Sequence, residues 1–99
     1  MLTTDRLAPF RSADLAGQRR ACVIRAYKER WDGAAASFEA AARVALPGSP
    51  LAQRADALRV HACWRAMAWA ALLDFEGDLA WRCWMEARRL KAAMQGARA

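Results

Sequence analysis

Along most of the chain apolar residues return every three or four positions, and breaks in that rhythm divide it into helices. Residues 1–11 lack the rhythm and contain Pro9, which predicts a flexible N-terminal arm. From about Ser12 to Trp31 the positions Leu15, Cys22, Val23, Ala26, Tyr27 and Arg30 recur at helical intervals, with Ser12 or Asp14 available as a cap. Asp32-Gly33 reads as a break. A second helix is expected at about 33–45, with Ala34, Phe38, Ala41 and Ala42 facing inward and Asp32 capping it. The run Leu46-Pro47-Gly48-Ser49-Pro50 stops that pattern and starts the next, since a capping hydroxyl precedes a proline whose φ is already helical. A third helix is expected from Pro50 to about Phe75, a length of roughly 40 Å. Glu76-Gly77-Asp78 turns the chain with Asp78 as cap, a fourth helix runs from Leu79 to about Gln95, and residues 96–99 form a tail.

Projected at 100° per residue, the third helix is apolar on two faces. Leu51, Leu58, Ala62, Trp69 and Leu72 lie on one, with Val60, Trp64, Met67, Ala71 and Phe75 nearly opposite. One face serves the chain's own core, while the other requires the fourth helix to fold back over it or a second chain. In the fourth helix Ala80, Cys83, Trp84, Ala87, Leu90 or Lys91, and Met94 form the inner stripe, leaving Trp81 about 100° away beside Met85 and Arg88.

Composition narrows the energetics. The chain has 99 residues, enough for one domain, here 12–95, that buries only about two thirds of its unfolded surface. Of its residues 57% are hydrophobic, but 26 of the 99 are alanine, which favours helix and buries little area. A few large residues, five of them Trp, must therefore carry the packing. The net charge of +6 favours an acidic partner, although fourteen of the sixteen basic residues are arginine, as a GC-rich genome also produces. Cys22, Cys63 and Cys83 form no C-x-x-C pair and read as buried small residues of a reducing cytoplasm. The N-terminus lacks the apolar core of a signal peptide and no stretch approaches the roughly 20 apolar residues of a membrane span, so a cytoplasmic protein is expected.

Two small-residue motifs carry a family resemblance. Ala34-x-x-x-Phe38-x-x-Ala41, with Trp31 just ahead and Pro47 after it, and Ala80-x-x-x-Trp84-x-x-Ala87 resemble the second-helix signature of tetratricopeptide repeats, at a spacing of 46 residues rather than about 34. The resemblance implies paired helices in close contact and a concave surface that receives a peptide or protein. The segment EGDLAWRCWMEA is similar to a small-residue helix with a central Trp in ANR-type bacterial regulators, which act on AraC-type activators; no functional residue carries over from it. The expected fold is all-α: an antiparallel four-helix bundle of two helical hairpins with tetratricopeptide-like packing, possible as a homodimer through the third or fourth helix.

Candidate chemistry is sparse. His61 is the sole histidine, with Cys63 and Arg65 as its only nearby chemistry-bearing neighbours, and reads as a partly exposed structural residue. Asp56, Asp74, Glu76, Asp78 and Glu86 are scattered without metal-ligand or paired-acid spacing, and no glycine-rich phosphate loop is present. The reading is therefore non-enzymatic, with no cofactor and no metal. Arg82, Arg88, Arg89 and Lys91 on the fourth helix, with Arg19, Arg20, Arg25, Lys28 and Arg30 on the first, make a basic nucleic-acid-binding transcriptional regulator the alternative, but no helix presents a row of base-reading side chains. A structural or dimerisation subunit is the second alternative. The principal expectation is a small adaptor, regulator or inhibitor that binds an acidic protein surface, a class common on bacterial mobile elements. Its candidate contacts are Trp81, Arg82, Met85, Arg88, Arg89, Trp64 and Met67, with Trp81 as the leading anchor.

Overall fold

The computed structural model describes the backbone of residues 3–96 and the side chains of residues 15–96. Within these bounds the chain is three helices: α1 (Thr3–Val44), α2 (Pro50–Leu73) and α3 (Gly77–Gly96). The expected break at Asp32-Gly33 is absent, so the first two predicted helices are one, and the four-helix bundle of two hairpins is corrected to three helices; the tetratricopeptide-like packing is not matched either, since Ala34, Phe38 and Ala41 lie within one continuous helix rather than in the second helix of a hairpin. The side chains of the arm expected at 1–11, and most of the tail expected at 96–99, lie outside the described residues.

The reason for continuity lies in the buried pattern. Among the described side chains of α1, those that are not exposed are Ala21, Ile24, Lys28, Trp31, Ala34, Ala35, Phe38 and Ala42, which step by threes and fours straight through Asp32-Gly33. That is the spacing of a coiled-coil seam, and a break would throw half of it out of phase. Asp32 accepts a hydrogen bond from Lys28 Nζ at 2.7 Å, one turn earlier, and so supports the helix from within rather than capping a new one. Ile24 is the buried residue of this stretch, whereas Cys22, Val23 and Tyr27, expected to face inward, are exposed.

The turn after α1 follows its sequence closely. Ser49 donates its backbone N–H to the Leu46 carbonyl at 3.0 Å, with Gly48 at φ +74°, the left-handed position that glycine occupies after proline in a type II turn. Ser49 Oγ then accepts from the Ala52 amide at 3.2 Å and Pro50 opens α2, as the capping signal predicts. At the other end of α2 the Glu76 amide reaches back to the Ala71 carbonyl at 2.9 Å and the Phe75 amide to that of Leu72 at 3.2 Å. This is a Schellman closure, with Phe75 at φ +59° in the place usually held by glycine. Arg20 of α1 secures it, donating to the Leu72 carbonyl at 3.3 Å and lying 4.8 Å from the centre of the Phe75 ring. Asp78, expected as the cap of the last helix, sits inside the first turn of α3, where its charge complements the helix dipole.

The expectation that the third predicted helix packs on two sides holds. α2 packs against α1 on one side and α3 on another: Ala66 lies beside Lys28 and Asp32 of α1 and Ala68 beside Ala80 and Trp84 of α3, with Ala55, Ala62 and Ala71 also buried. α3 contributes Ala80, Cys83 and Ala87, all buried, with Leu90 and Met94 continuing the row. Alanine dominates both seams, so the helix axes can approach closely and little apolar area is gained per residue. α1 and α3 each pack antiparallel to α2, and among the described residues their backbones do not pack against each other. The molecule is consequently open, 70 × 25 × 19 Å with a radius of gyration of 19.3 Å, against about 13 Å for a compact chain of this length. Its accessible surface of 7531 Å² exceeds the roughly 5,600 Å² typical of a compact monomer of this mass. Among the described residues no helix is long and apolar enough to cross a membrane.

Candidate functional site: an aromatic and basic groove along α2

Because the backbones of α1 and α3 flank α2 without packing on each other, a groove remains between them, floored by α2. Its floor carries His61, Arg65 and Trp69, spaced four residues apart and therefore aligned on one side of the helix. Tyr27 and Trp31 approach from α1. The Tyr27 and Trp69 rings stack at 4.7 Å with planes 12° apart, and the Trp31 ring meets the His61 ring edge-on at 5.7 Å. Trp84 approaches from α3.

Arg65 ties the three helices together. Its guanidinium carbon lies 3.8 Å from the centre of the Trp84 ring and 5.5 Å from that of Trp31, two cation–π contacts that connect α3 and α1 through α2. Arg65 Nε is buried without a hydrogen-bond acceptor, and the same holds for His61 Nε2 and Trp69 Nε1 on the same face. Burial, and then the nearby charge of Arg88, hold the Arg65 guanidinium below its ordinary pKa. His61 is 8% exposed rather than partly open as expected. Its pKa is pulled below the usual 6.5 by burial first and by Arg65 and Lys91 after that, so it is held as a neutral ring beside fixed positive charge.

Two hollows open from the groove and share Trp84. One, of about 300 Å³, is bounded by Trp69 and Leu72 of α2 and by Ala80, Trp81 and Trp84 of α3, and is almost wholly apolar. The other, of about 410 Å³, is bounded by Arg65, Trp84, Arg88, Lys91 and Gln95. No carboxylate lines the second hollow. The ion pairs among the described residues are Lys28–Asp32, Glu39–Arg43, Asp56–Arg59 and Glu86–Arg89, all within a single helix and none involving Arg65, Arg88 or Lys91.

Of the seven residues singled out from sequence, the groove gathers two. Trp81, 62% exposed, forms one wall of the apolar hollow, and Arg88 borders the basic one. Arg82, Met85 and Arg89 are exposed but border neither hollow, and Arg89 is paired with Glu86 at 2.8 Å. Trp64 is half-buried and borders neither hollow, and Met67, exposed, borders a shallow depression with Lys28 and Asp32 away from the groove. Arg65 and Trp69 were not among the sequence candidates, though the spacing His61, Arg65, Trp69 was visible as one helical face. Cys22 is exposed, Cys63 half-buried and Cys83 buried, which corrects the reading of all three as buried.

Chemically, the groove presents aromatic faces, buried ring and guanidine nitrogens without partners, and fixed cations. Among the described residues no three His, Cys, Asp or Glu side chains converge as metal ligands. Comparison of the chain with protein-family models, curated proteins and solved structures finds no match, so the tetratricopeptide-like and ANR-type resemblances rest on the residues that carry them.

Proposed function

We propose that this protein is a small non-catalytic adaptor, regulator or inhibitor that binds a protein partner in the groove along α2. The observation that carries the reading is the adjacency of an exposed tryptophan, an apolar hollow and an unpaired cluster of cations: Trp81 beside Trp84, and Trp84 beside Arg65, Arg88 and Lys91. Trp and Arg dominate the energetically decisive positions of protein interfaces, because each offers a large rigid surface together with a hydrogen-bonding edge. The basic hollow supports an acidic partner surface. The setting on a bacterial mobile element remains part of the proposal and draws on size and class alone.

The test is capture of a partner from the native host by the wild type, followed by rebinding of that purified partner to Trp81→Ala and Trp84→Ala. Loss of an anchor of this kind weakens binding by about 2 kcal/mol or more, roughly 30-fold in Kd. A partner that binds both variants as tightly as the wild type refutes the assignment of the groove. Nucleic-acid binding is the second reading, supported by Arg65, Arg88 and Lys91 in one hollow. It requires affinity for random-sequence DNA that falls steeply with salt, and absence of such binding at low salt removes it.

A further inference from the structure

The two hollows differ in chemistry and lie in a fixed order along α3, and that order specifies a ligand. We infer that the groove seats an acidic amphipathic helix of the partner, with an apolar side chain in the hollow at Trp81 and a carboxylate, seven residues away along the ligand, in the hollow of Arg65, Arg88 and Lys91. This inference rests on the protein-binding reading and gives it a substrate chemistry.

The spacing comes from α3 itself. Trp81 borders the apolar hollow and Arg88 the basic one, seven residues apart, or about 10 Å of helix. A helix laid along the groove in either direction presents its own residues i and i+7 at that separation and on one face, the spacing by which amphipathic helices anchor in grooves. The shared wall, Trp84, lies between the two anchors in sequence and borders both hollows, beside the ligand's intervening turn.

The carboxylate follows from the donors. Arg65 Nε is a buried N–H with no acceptor among the described residues, in a hollow bordered by two further cations and by no acid. A buried donor without an acceptor is destabilising, and a charged acceptor relieves both the missing hydrogen bond and the repulsion between Arg65 and Arg88. The charged residue sits against apolar surface, because the aromatic rings of Trp31 and Trp84 flank the guanidinium. Single-stranded nucleic acid fits less well. It asks for a track of cations along its backbone, whereas here three cations gather at one point and the neighbouring hollow is apolar with almost no polar atom to meet a base edge.

The probe is a fluorescein-labelled synthetic helical peptide with leucine at one position and glutamate seven residues later, measured by fluorescence anisotropy against the full chain. Two matched peptides replace the glutamate by glutamine or move it to the opposite face. The expected result is at least tenfold tighter binding of the i,i+7 glutamate peptide than of either control, with the difference abolished by Arg65→Met and by the double substitution Arg88→Gln, Lys91→Gln. Circular dichroism verifies that each variant is folded. Equal binding of the glutamate and glutamine peptides, still lost in Trp81→Ala, overturns the carboxylate assignment and leaves the protein-binding groove standing. Failure of all three peptides overturns the ligand chemistry, and the rebinding of a captured partner then judges the broader reading separately. Displacement of the peptide by a single-stranded oligonucleotide, with steep salt dependence, overturns it in favour of nucleic acid. A dimer by sedimentation that dissociates on Trp81→Ala assigns the groove to a second copy and overturns it likewise.

Discussion

Ala62→Leu tests the packing on which the groove depends. Ala62 is 0% exposed and lies one helical turn before Ala66, which sits beside Lys28 and Asp32 of α1. Leucine adds three carbons there. Had the seam room for them, burying them would stabilise the fold by about 2 kcal/mol, at roughly 0.8 kcal/mol per methylene. The site is already filled, since Ala62 is fully enclosed and Ala55 and Ala66 on the same side of α2 are the small buried residues that permit close approach. Overpacking of a filled site destabilises by about 1–3 kcal/mol. At 2 kcal/mol the midpoint of thermal unfolding falls by about 8–16 °C for a domain of this size. Circular dichroism at 222 nm follows the transition, with Ala36→Leu as a control at an exposed position of α1, expected within about 0.5 kcal/mol of wild type. Ala87→Leu, 0% exposed in the other seam, is expected to behave as Ala62→Leu does. The reasoning is refuted if Ala62→Leu melts at or above the wild-type temperature, because α1 and α2 then stand further apart than an alanine seam allows.

Other substitutions follow from single features. Gly33→Ala is expected to stabilise by about 0.5–1 kcal/mol in urea denaturation, because Gly33 lies inside a continuous helix and an added Cβ meets nothing within 4 Å; a loss of stability speaks for a break at that point. Phe75→Gly relieves a left-handed backbone position that disfavours a bulky residue, and after subtracting the exposed contact with Arg20 it is expected to gain about 1 kcal/mol by the same assay. The His61 pKa is lowered on folding, so the unfolded chain takes up the proton first as pH falls below 6.5. The stability associated with the neutral ring is present above that value and is lost on acidification toward the folded pKa. His61→Gln is expected to flatten urea midpoints measured between pH 7 and about 5.5, and a slope unchanged by the substitution rules out His61 as the source.

Local chemistry announced several elements before any packing was known. Ser49-Pro50 marked the start of α2, the Pro47-Gly48 turn and the chain reversal near Gly77 are where they were expected, and Ala80, Cys83 and Ala87 form the inner row of α3. Each of these is decided within about one turn of chain. Asp32-Gly33 misled because its penalty is likewise local and small, about 1 kcal/mol for the glycine, whereas the seam that runs from Ala21 to Ala42 is a property of about six turns. The inward face of α1 was misassigned for a related reason: Cys22, Val23 and Ile24 are consecutive apolar residues, and only the partner helix selects Ile24. At the site, the exposure of Trp81 was legible from helical phase. Arg65 was not, because an arginine spaced between a histidine and a tryptophan reads as solvated until Trp31 and Trp84, distant in sequence, are brought against it.

Since α1 and α3 meet only through α2, the fold has two interfaces that share one helix and no three-way core. Such an arrangement separates into cooperative units that open at different free energies. Detachment of α3 sacrifices only the α2–α3 seam and leaves the longer α1–α2 hairpin paired, so backbone amides of α3 are expected to exchange with solvent deuterium as one early group. A ligand seated across the groove touches both units at once and is expected to merge the two exchange classes into one, which makes hydrogen exchange a report on occupancy even before the occupant is known.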